Sequence, residues 1–174
     1  MEPQSETISP LLQAIKKKLV VFFEHYNYST KETTQYTAEP YLLKEFNGRW
    51  YLFAYIRKKN AFRTFGLDRI AELDFLGEQF ERNTELEEVV YKFDNVYGLI
   101  YEPEQNKNAK IENVCIQMSS VMINHLESLP LHKSQKTDKE KGLVTLQVIV
   151  NPELENKILS FGEHAVALSP HSLL

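Results

Sequence analysis

The sequence predicts an α+β fold with two parts: a short helix leading into a five-stranded barrel or strongly bent sheet, and then a smaller unit of mixed strands and helices. Five short strand-like runs follow one another between residues 19 and 76, with tight turns between them, and the first run is rich in Val, Phe and Tyr. Too little chain separates these runs for the crossover helices of a parallel sheet. After residue 100 the segments follow the order β-α-β-β-α-β.

The first element is predicted to be a short helix that begins near Ser9. Ser9 can cap this helix, Pro10 fits its first position, and Leu11 and Ile15 recur at helical spacing. Lysines at positions 16–18 fall in the last turn, where cations interact favourably with the helix dipole. These lysines are read as a solvated face, with an anion site as the less favoured alternative.

The five strands are predicted from their β-branched and aromatic residues and from the turns between them. Asn47-Gly48 is a strong hairpin signal, and the polar tip at 58–60 marks another turn. The predicted strands are Leu19–Tyr28, Tyr36–Phe46, Trp50–Ile56, Ala61–Leu67 and Ile70–Leu76. Their number and spacing indicate a small barrel or a strongly bent sheet.

An acidic segment follows and is predicted to separate two domains. Residues 77–96 form either a connecting helix or two short turns, and a charged loop at 102–110 comes next. The predicted division is a first domain at 9–76, a linker at 77–100 and a second domain at 101–174.

The second domain is predicted to be a small ferredoxin-like βαββαβ unit. Asn151 is expected to cap its second helix, with Pro152 at the first position and Gly162 as the stop signal. The predicted strands are Ile111–Gln117, His132–Thr137, Leu143–Val150 and Ala165–Leu168, and the first helix is Ser119–Leu126.

Composition excludes several classes of function. The 174 residues are 43% hydrophobic and 25% charged, as in an ordinary globular protein rather than a disordered one. No apolar run approaches the roughly 18–20 residues of a membrane span, and the N-terminus has no secretory signal pattern. A lone cysteine, Cys115, precludes an internal disulfide and indicates the reducing cytoplasm.

Signals for catalysis are also absent from the sequence. No catalytic motif, metal-ligand spacing or glycine-rich phosphate loop occurs, and there are only 6 glycines. The apolar neighbours of Cys115 indicate an inert, buried thiol rather than a nucleophile. We therefore predict a protein that is not an enzyme, with no cofactor, no metal and no catalytic residue.

The net charge of −4 is distributed unevenly. Residues 1–72 carry 11 Lys and Arg against 8 Asp and Glu, whereas residues 73–174 carry 9 against 16. The two balances, +3 and −7, sum to −4. An acidic protein with this polarity can still present an anion-attracting surface in its first half.

Residues 40–73 interleave aromatic and basic side chains. The aromatic residues are Tyr41, Phe46, Trp50, Tyr51, Phe53, Tyr55, Phe62 and Phe65, and the basic residues are Lys44, Arg49, Arg57, Lys58, Lys59, Arg63 and Arg69. Guanidinium groups bind phosphate and aromatic rings stack on bases, so the mixture suits a nucleotide ligand. The alternative is that the rings fill a core while the cations solvate its surface.

Two motifs in this stretch resemble the WYL domain, which is named for the Trp50-Tyr51-Leu52 triplet. The second motif is 63–70, RTFGLDRI, and the preceding helix, first strand and Pro40 also match. Residues 130–135 and 154–170 resemble the extension that follows many WYL domains. The resemblance implies an Sm-like, SH3-type barrel and a ligand-sensing role in bacterial transcriptional regulators, whose WYL domains bind nucleic-acid-type ligands.

The resemblance also implies which residues contact the ligand. Arg63 and Arg69 match the family's basic positions and are the leading candidates, although an ion pair or a turn-anchoring role is the alternative. His25 and Tyr26 end the first strand near the family's pocket, and a structural histidine is the alternative for His25. Tyr51 is a further candidate.

Several neighbouring positions are expected to be structural, or depart from the family pattern. Trp50 is interpreted as structural. Position 66 is Gly, where relatives often carry a polar or basic residue, and this weakens the expected phosphate affinity. His132, Ser134 and Gln135 match the extension's motif and are expected to hold the second domain together through hydrogen bonds.

The resulting hypothesis is a regulatory module that binds a nucleotide or a short single-stranded oligonucleotide in the barrel. The acidic second domain is expected to support a homodimer, with no membrane partner. Promoter DNA would be bound only by a helix-turn-helix domain absent from this chain, since about eight residues precede the predicted first helix. The alternative function is a protein–protein interaction or dimerisation module with no small ligand.

Overall fold

The computed structural model describes residues 3–101 and 109–173. Residues 102–108 of the predicted charged loop therefore lie outside the described residues. The chain divides into two compact units, residues 1–90 and 91–174. Over the described ranges, the two units together contain four α-helices and two antiparallel sheets, which confirms the α+β class.

The first unit consists of a helix and a five-stranded antiparallel sheet. Its elements are α1 (Pro3–Lys17), β1 (Leu19–Asn27), β2 (Glu32–Phe46), β3 (Arg49–Ile56), β4 (Ala61–Gly66) and β5 (Ile70–Gln79). The strands are ordered β4-β3-β2-β1-β5. Short 3₁₀ turns at 57–59 and 67–69 connect β3 to β4 and β4 to β5.

Strand β2 is shared between the two halves of this sheet. Its 15 residues pair with β1 over 32–38 and with β3 over 39–46. The register shifts between Pro40 and Leu42, where a proline is tolerated because a bulge needs no donor at that position. The Asn47-Gly48 hairpin has positive φ at both residues, 51° and 73°, as the sequence signal predicts.

The core of the first unit lies between α1 and one face of the sheet. Leu11 and Ala14 of α1 are fully buried against sheet residues such as Phe23, Leu52 and Phe65. Strand alternation places every second residue of β3 on this face, so its neighbours face the other way.

The predicted start of α1 was wrong. The helix begins at Pro3, so Ser9 is not its cap and Pro10 lies inside it. Pro3 occupies the N-terminal position that favours proline, and Glu6 in the first turn interacts favourably with the helix dipole. Pro10 is tolerated because packing of the next turn through Leu11 offsets the missing hydrogen bond.

Helix α2 (Thr84–Asp94) follows β5 after four residues without regular structure. Of the two alternatives for this acidic segment, the helix is the one observed. Predicted strand Ile70–Leu76 continues to Gln79, which shortens the connection.

The second unit has the predicted order β-α-β-β-α-β. Its elements are β6 (Glu112–Met118), α3 (Ser120–Ser128), β7 (Lys136–Asp138), β8 (Leu143–Val148), α4 (Pro152–Ser160) and β9 (Ala165–Ser169). The sheet is ordered β7-β8-β6-β9, and all its paired strands are antiparallel. Asn151 caps α4 as predicted, because its side-chain oxygen accepts from Leu154 N at 2.9 Å.

The predicted strand at 132–137 was wrong over most of its length. Strand β7 contains only Lys136–Asp138. The preceding residues form a turn, with a backbone hydrogen bond from Gln135 N to His132 O at 2.9 Å. The Gln135 side chain also accepts from Leu131 N and donates to Leu126 O, which holds this segment out of the sheet.

Within residues 3–101 and 109–173, no helix is both long and apolar enough to cross a membrane.

Candidate ligand-binding site

His25 lies near the end of β1, opposite Thr34 of β2 and Ile70 of β5. Its ring centroid is 5.2 Å from that of Phe65 and 6.4 Å from that of Tyr36. Its Nε2 atom is buried and has no hydrogen-bond partner among the described residues. A buried polar atom without a partner is energetically unfavourable, so this imidazole is a candidate for binding a ligand group.

The electrostatic environment of His25 favours its neutral form. Burial lowers the pKa of His25 below its ordinary value, and the positive charge of Arg69 lowers it further. The carboxylate of Asp68 acts in the opposite direction. An anion placed beside His25 and Arg69 would therefore be stabilised by both groups, one of them through protonation.

Arg69 is the last residue of the 3₁₀ turn between β4 and β5, and its guanidinium group lies against Gly66. Its guanidinium carbon is 5.6 Å from the ring centroid of Tyr28, and its Nε is 3.8 Å from Asp68 Oδ1. A Cβ atom at Gly66 would lie 2.6 Å from Arg69 Nη2 and from Asp68 Oδ1. The glycine that departs from the family pattern therefore leaves room for the Arg69 side chain.

Tyr26 and Tyr28 provide exposed aromatic surface beside Arg69. Tyr26 is 37% exposed and Tyr28 is 61% exposed, and their ring centroids are 5.3 Å apart in an edge-to-face arrangement. Exposed rings beside a guanidinium group are suited to stacking with a nucleobase. The structure thus connects Arg69 to Tyr28 and Tyr28 to Tyr26 through ring contacts. His25 lies close enough to Arg69 for the guanidinium charge to lower its pKa, but it lies on the opposite face of β1 from Tyr26.

Tyr51 lies in β3 opposite Gly66 of β4. Leu52, the next residue, is fully buried in the core, so the half-buried Tyr51 side chain belongs to the other face. No described contact connects it to His25 or Arg69. Trp50 packs on the core, in agreement with a structural role.

Arg63 is exposed in β4, opposite Ala54 of β3. Among the described residues, no carboxylate lies within ion-pair distance of its guanidinium group, and no contact joins it to His25 or Arg69. The alternative role of Arg63, an ion pair, would have Asp68 as the nearest acidic residue in the sequence. Asp68 lies instead near Arg49 and Arg69, at 4.0 and 3.8 Å. Arg63 is therefore an accessible cation apart from the His25–Arg69 group.

Many of the aromatic and basic residues of the 40–73 stretch are structural, as the alternative interpretation holds. Phe53 and Phe62 stack at 4.5 Å, and Tyr41 lies 5.3 Å from Phe62. Burial raises the pKa of Tyr41 to about 12, so it stays protonated. Arg57 forms ion pairs with Glu39, which is buried, and with Glu78.

The sequence patterns did not predict Tyr28 and Tyr36 as candidate site residues. They also did not predict a cavity beside Tyr36. The cavity has a volume of about 310 Å³ and includes Lys58 and Lys59 of the 57–59 turn in its lining. The two consecutive lysines of the polar tip at 58–60 were a sequence pattern that could have indicated this cavity. No sequence signal identified Tyr36, because its role depends on the pairing of β2 with β1.

In the second unit, the predicted motif residues His132, Ser134 and Gln135 form hydrogen bonds within the fold. His132 Nδ1 lies 2.7 Å from Ser134 Oγ, which in turn donates to Gln147 O and accepts from Gln147 N. Gln135 bonds to the backbone as described above. Throughout the ranges that the structure describes, no group of three or more His, Cys, Asp or Glu residues is arranged to hold a metal ion.

Comparison with known proteins gives a domain match in the first unit. Residues 6–75 match the WYL domain. The chain is 36% identical over 81 residues, 47% of its length, to the "Uncharacterized HTH-type transcriptional regulator YobV" of Bacillus subtilis (strain 168). It covers 26% of that relative, so it spans about a quarter of the relative's length.

Two solved structures give weaker matches. Proteasome accessory factor B/C (PafBC) of Arthrobacter aurescens has 18% identity and a TM-score of 0.45, with 99% of this chain and 26% of that chain covered. A CRISPR Cas-related protein has 14% identity and a TM-score of 0.46, with 97% and 48% covered. At these TM-scores we draw no conclusion from either likeness.

The match coincides with the element order and the geometry above. The Trp50-Tyr51-Leu52 triplet lies in β3, and the LDR turn that carries Arg69 joins β4 to β5. Residues 6–75 of this chain are therefore a WYL domain.

Proposed function

We propose that this chain is the ligand-sensing part of a transcriptional regulator and that its first unit binds a nucleotide or a short single-stranded nucleic acid. The observation that carries the proposal is the group formed by His25, Arg69, Tyr26 and Tyr28. It combines a fixed cation, a neutral imidazole with a free ring nitrogen, and two exposed rings. The WYL match and the regulator relative supply the regulatory context.

Single-stranded rather than duplex nucleic acid fits this group. Stacking on Tyr26 or Tyr28 requires an unpaired base, because bases in a duplex are already stacked on each other. Arg69, the one fixed cation of the group, can contact only a small number of phosphates. Residues 73–174 carry 16 acidic against 9 basic residues, a charge balance that disfavours duplex binding by that part of the chain.

Arg63 is kept in the proposal as a phosphate contact outside the central group. It is exposed and has no described ion-pair partner, so its charge is available to a strand that extends along β4. Tyr51 is a peripheral candidate, because it lies opposite Gly66, where a Cβ atom would meet the guanidinium end of Arg69.

The finer fold assignment also belongs to the proposal. The order β4-β3-β2-β1-β5 with a leading helix and a bent β2 supports an Sm-like, SH3-type barrel. The order β7-β8-β6-β9 with two helices supports a ferredoxin-like second domain. We propose the domain limits 9–76, 77–100 and 101–174, with the second domain supporting a homodimer and a separate helix-turn-helix domain binding promoter DNA.

Fluorescence polarisation with short labelled single-stranded DNA and RNA tests the proposal. We expect binding that weakens between about 50 and 200 mM salt, because phosphate contacts release counterions. The double variant Arg63→Ala/Arg69→Ala is expected to lose at least about tenfold in affinity, because its charge-assisted contacts to phosphate are lost. Lys16→Ala, which removes one exposed lysine of α1, is the control for loss of a surface charge outside the site and is expected to bind normally.

No binding to either oligonucleotide would contradict the proposal. Equal losses in the double variant and in Lys16→Ala would also contradict it, because they would indicate only nonspecific attraction. A stable dimer in sedimentation velocity that ignores every nucleotide would favour an interaction module instead.

A further inference from the structure

A second candidate site lies between β1, β2 and the turn after β3. It is a cavity of about 310 Å³, at the small end of the range for ligand pockets. Its lining residues are Phe22, Thr34, Gln35, Tyr36, Thr37, Ile56, Lys58 and Lys59. None of these is His25, Tyr26 or Arg69, but the Tyr36 ring centroid lies 6.4 Å from that of His25, so the cavity adjoins the site described above.

Hydrogen bonds and ion pairs fix the turn that carries the two lysines. Arg57, its first residue, is held by ion pairs to Glu39 and Glu78. Asn60, which follows it, has a left-handed backbone and donates from N to Arg57 O at 3.1 Å. The side chain of Asn60 also accepts from the hydroxyl of Tyr55. The turn is therefore positioned before any ligand arrives, which lowers the entropic cost of binding.

The positive charge on this turn is not neutralised at Lys58 and Lys59. Both side chains are exposed, and within the described parts of the chain neither has a carboxylate within 4.0 Å. Lys59 Nζ lies 5.3 Å from the ring centroid of Tyr36, which keeps the ammonium group beside the cavity. Nearby carboxylates are already bonded: Glu24 accepts from the lining residue Gln35 at 2.9 Å, and Glu39 and Glu78 are paired with Arg57.

The remaining lining supplies the complementary chemistry. Thr34 and Thr37 provide hydroxyl donors, and Phe22, Tyr36 and Ile56 provide apolar and aromatic walls. Two ammonium groups beside hydroxyl groups match the charge of a phosphomonoester, which carries up to two negative charges near neutral pH. The apolar walls match a small ring attached to that phosphate.

We propose that this cavity binds a terminal phosphomonoester carried on a body about the size of one nucleotide. Lys58 and Lys59 contact the phosphate, and the Phe22–Tyr36–Ile56 walls contact the attached ring. This inference does not rest on the proposed function, because it uses different residues. The phosphomonoester is either a free mononucleotide or the phosphorylated end of an oligonucleotide, and the experiment separates these two sources.

Isothermal titration calorimetry of the full 174-residue chain tests the inference. The probes are adenosine, adenosine 5′-monophosphate, and one short single-stranded oligonucleotide with either a 5′-phosphate or a 5′-hydroxyl. We expect the monophosphate to bind at least about tenfold more tightly than adenosine, as for a charge-assisted contact. Lys58→Gln/Lys59→Gln is expected to abolish this preference, whereas Lys16→Gln, on an exposed lysine of α1, retains it.

The oligonucleotide pair identifies the source of the phosphate. A preference for the 5′-phosphate over the 5′-hydroxyl, lost in Lys58→Gln/Lys59→Gln, supports the site with an oligonucleotide end as its ligand. A preference for the free monophosphate alone supports the site with a mononucleotide as its ligand. Equal affinities of adenosine and its monophosphate, together with equal affinities of the two oligonucleotides, would overturn the inference. A loss of the monophosphate preference in Lys16→Gln as large as that in Lys58→Gln/Lys59→Gln would also overturn it.

The test separates this inference from the proposed function. If the 5′-hydroxyl oligonucleotide binds and is sensitive to Arg69→Ala, the proposed function holds whatever happens at the cavity. If the monophosphate preference is observed while no oligonucleotide binds, the cavity site holds and the proposed function fails. A monophosphate preference lost equally in Arg69→Ala and in the lysine double variant would overturn the assignment to this cavity.

Discussion

At the scale of single residues, His25 is the group whose charge responds to both pH and ligand. Its Nε2 is buried without a described partner, and burial together with Arg69 keeps its pKa below the ordinary 6.5. The native state therefore favours the neutral imidazole, whereas the unfolded chain binds a proton at a higher pH. A ligand phosphate near Arg69 would offset the positive charge and raise the pKa of His25.

The first prediction concerns the pH dependence that follows from His25. Because the unfolded state binds the proton more readily, we expect the stability of the chain to fall as pH falls from about 6.5 through the lower native pKa. His25→Gln should remove this component, whereas His125→Gln, an exposed position on α3, should leave it. Denaturant melts between pH 5 and 7.5 and an NMR titration of the His25 ring measure the effect.

A His25 midpoint at or above 6.5 in the free protein would contradict this assignment of its environment. With a bound oligonucleotide the midpoint should move upward, and nucleic-acid affinity should increase as pH falls through that range.

The second prediction concerns Gly66, whose missing side chain leaves room for Arg69. Gly66→Ala would place a Cβ atom 2.6 Å from the ends of two flexible side chains, Arg69 and Asp68. These ends can move, so we expect less than about 1 kcal/mol of destabilisation. Oligonucleotide affinity should nevertheless fall several-fold because Arg69 is displaced.

Affinity and thermal stability of Gly66→Ala should be measured together. Gly48→Ala is the comparison, because that glycine has open space around it but a φ of 73°. It should lose stability without a direct effect on binding. Normal affinity of Gly66→Ala would contradict the role given to the Arg69 position.

At the scale of elements, ion pairs of the 57–59 turn link β2, β5 and the end of β3. Arg57 lies between Glu39, which is 5% exposed, and the exposed Glu78. These hydrogen bonds raise the pKa of Arg57. Removing the arginine leaves a buried carboxylate without its cation, which costs more than loss of a surface pair.

The third prediction is that Arg57→Ala lowers the free energy of unfolding by about 1–3 kcal/mol, less than for a fully buried pair because Arg57 is half exposed. Arg49→Ala is the matched control, since this exposed arginine of β3 lies 4.0 Å from Asp68, and about 0.5 kcal/mol or less is expected. Urea unfolding of both variants gives the comparison. Equal stabilities would show that the Glu39 pair contributes nothing measurable.

The fourth prediction concerns Asn151, which caps α4 and holds the preceding chain. Its oxygen accepts from Leu154 N, and its amide nitrogen donates to Tyr97 O and Ile100 O at 2.9 and 3.0 Å. We expect Asn151→Ala to destabilise the second unit by about 2 kcal/mol or more, because a cap and two buried bonds are lost together. Asn124→Ala, on the exposed face of α3, should change stability little.

Local signals predicted most elements of the fold. The Asn47-Gly48 hairpin and the Asn151-Pro152 helix start depend on neighbouring residues, so they could be read from the sequence. The start of α1 and the length of β7 could not, because they depend on the packing of Leu11 and on the side-chain bonds of Gln135. Propensity is a weak guide wherever tertiary contacts decide the outcome.

The candidate site was predictable in part for the same reason. His25, Tyr26 and Arg69 were identified through a family resemblance. The structure connects Tyr26 and Arg69 through Tyr28, and it places His25 within the electrostatic influence of Arg69. Composition alone could not separate Arg57, which is tied to two carboxylates, from Lys58 and Lys59, which are not. The partner of each cation depends on which strands are adjacent in the sheet.

At the scale of the whole molecule, the two parts of the chain differ in their charge balance. Residues 1–72 carry a balance of +3 and residues 73–174 a balance of −7. Both proposed sites are built from residues of the first segment, 1–72, whose charge balance is positive. The account therefore predicts recognition of a short anionic ligand there, with little affinity of this chain for a duplex.

An NMR titration of the ¹⁵N-labelled chain with a short single-stranded oligonucleotide shows whether the first unit binds such a ligand and where. We expect chemical-shift changes concentrated at Tyr26, Tyr28 and Arg69 and reduced in Arg69→Ala. An equal concentration of duplex should cause little change. Changes confined to residues 91–174, or equal changes with the duplex, would contradict this prediction.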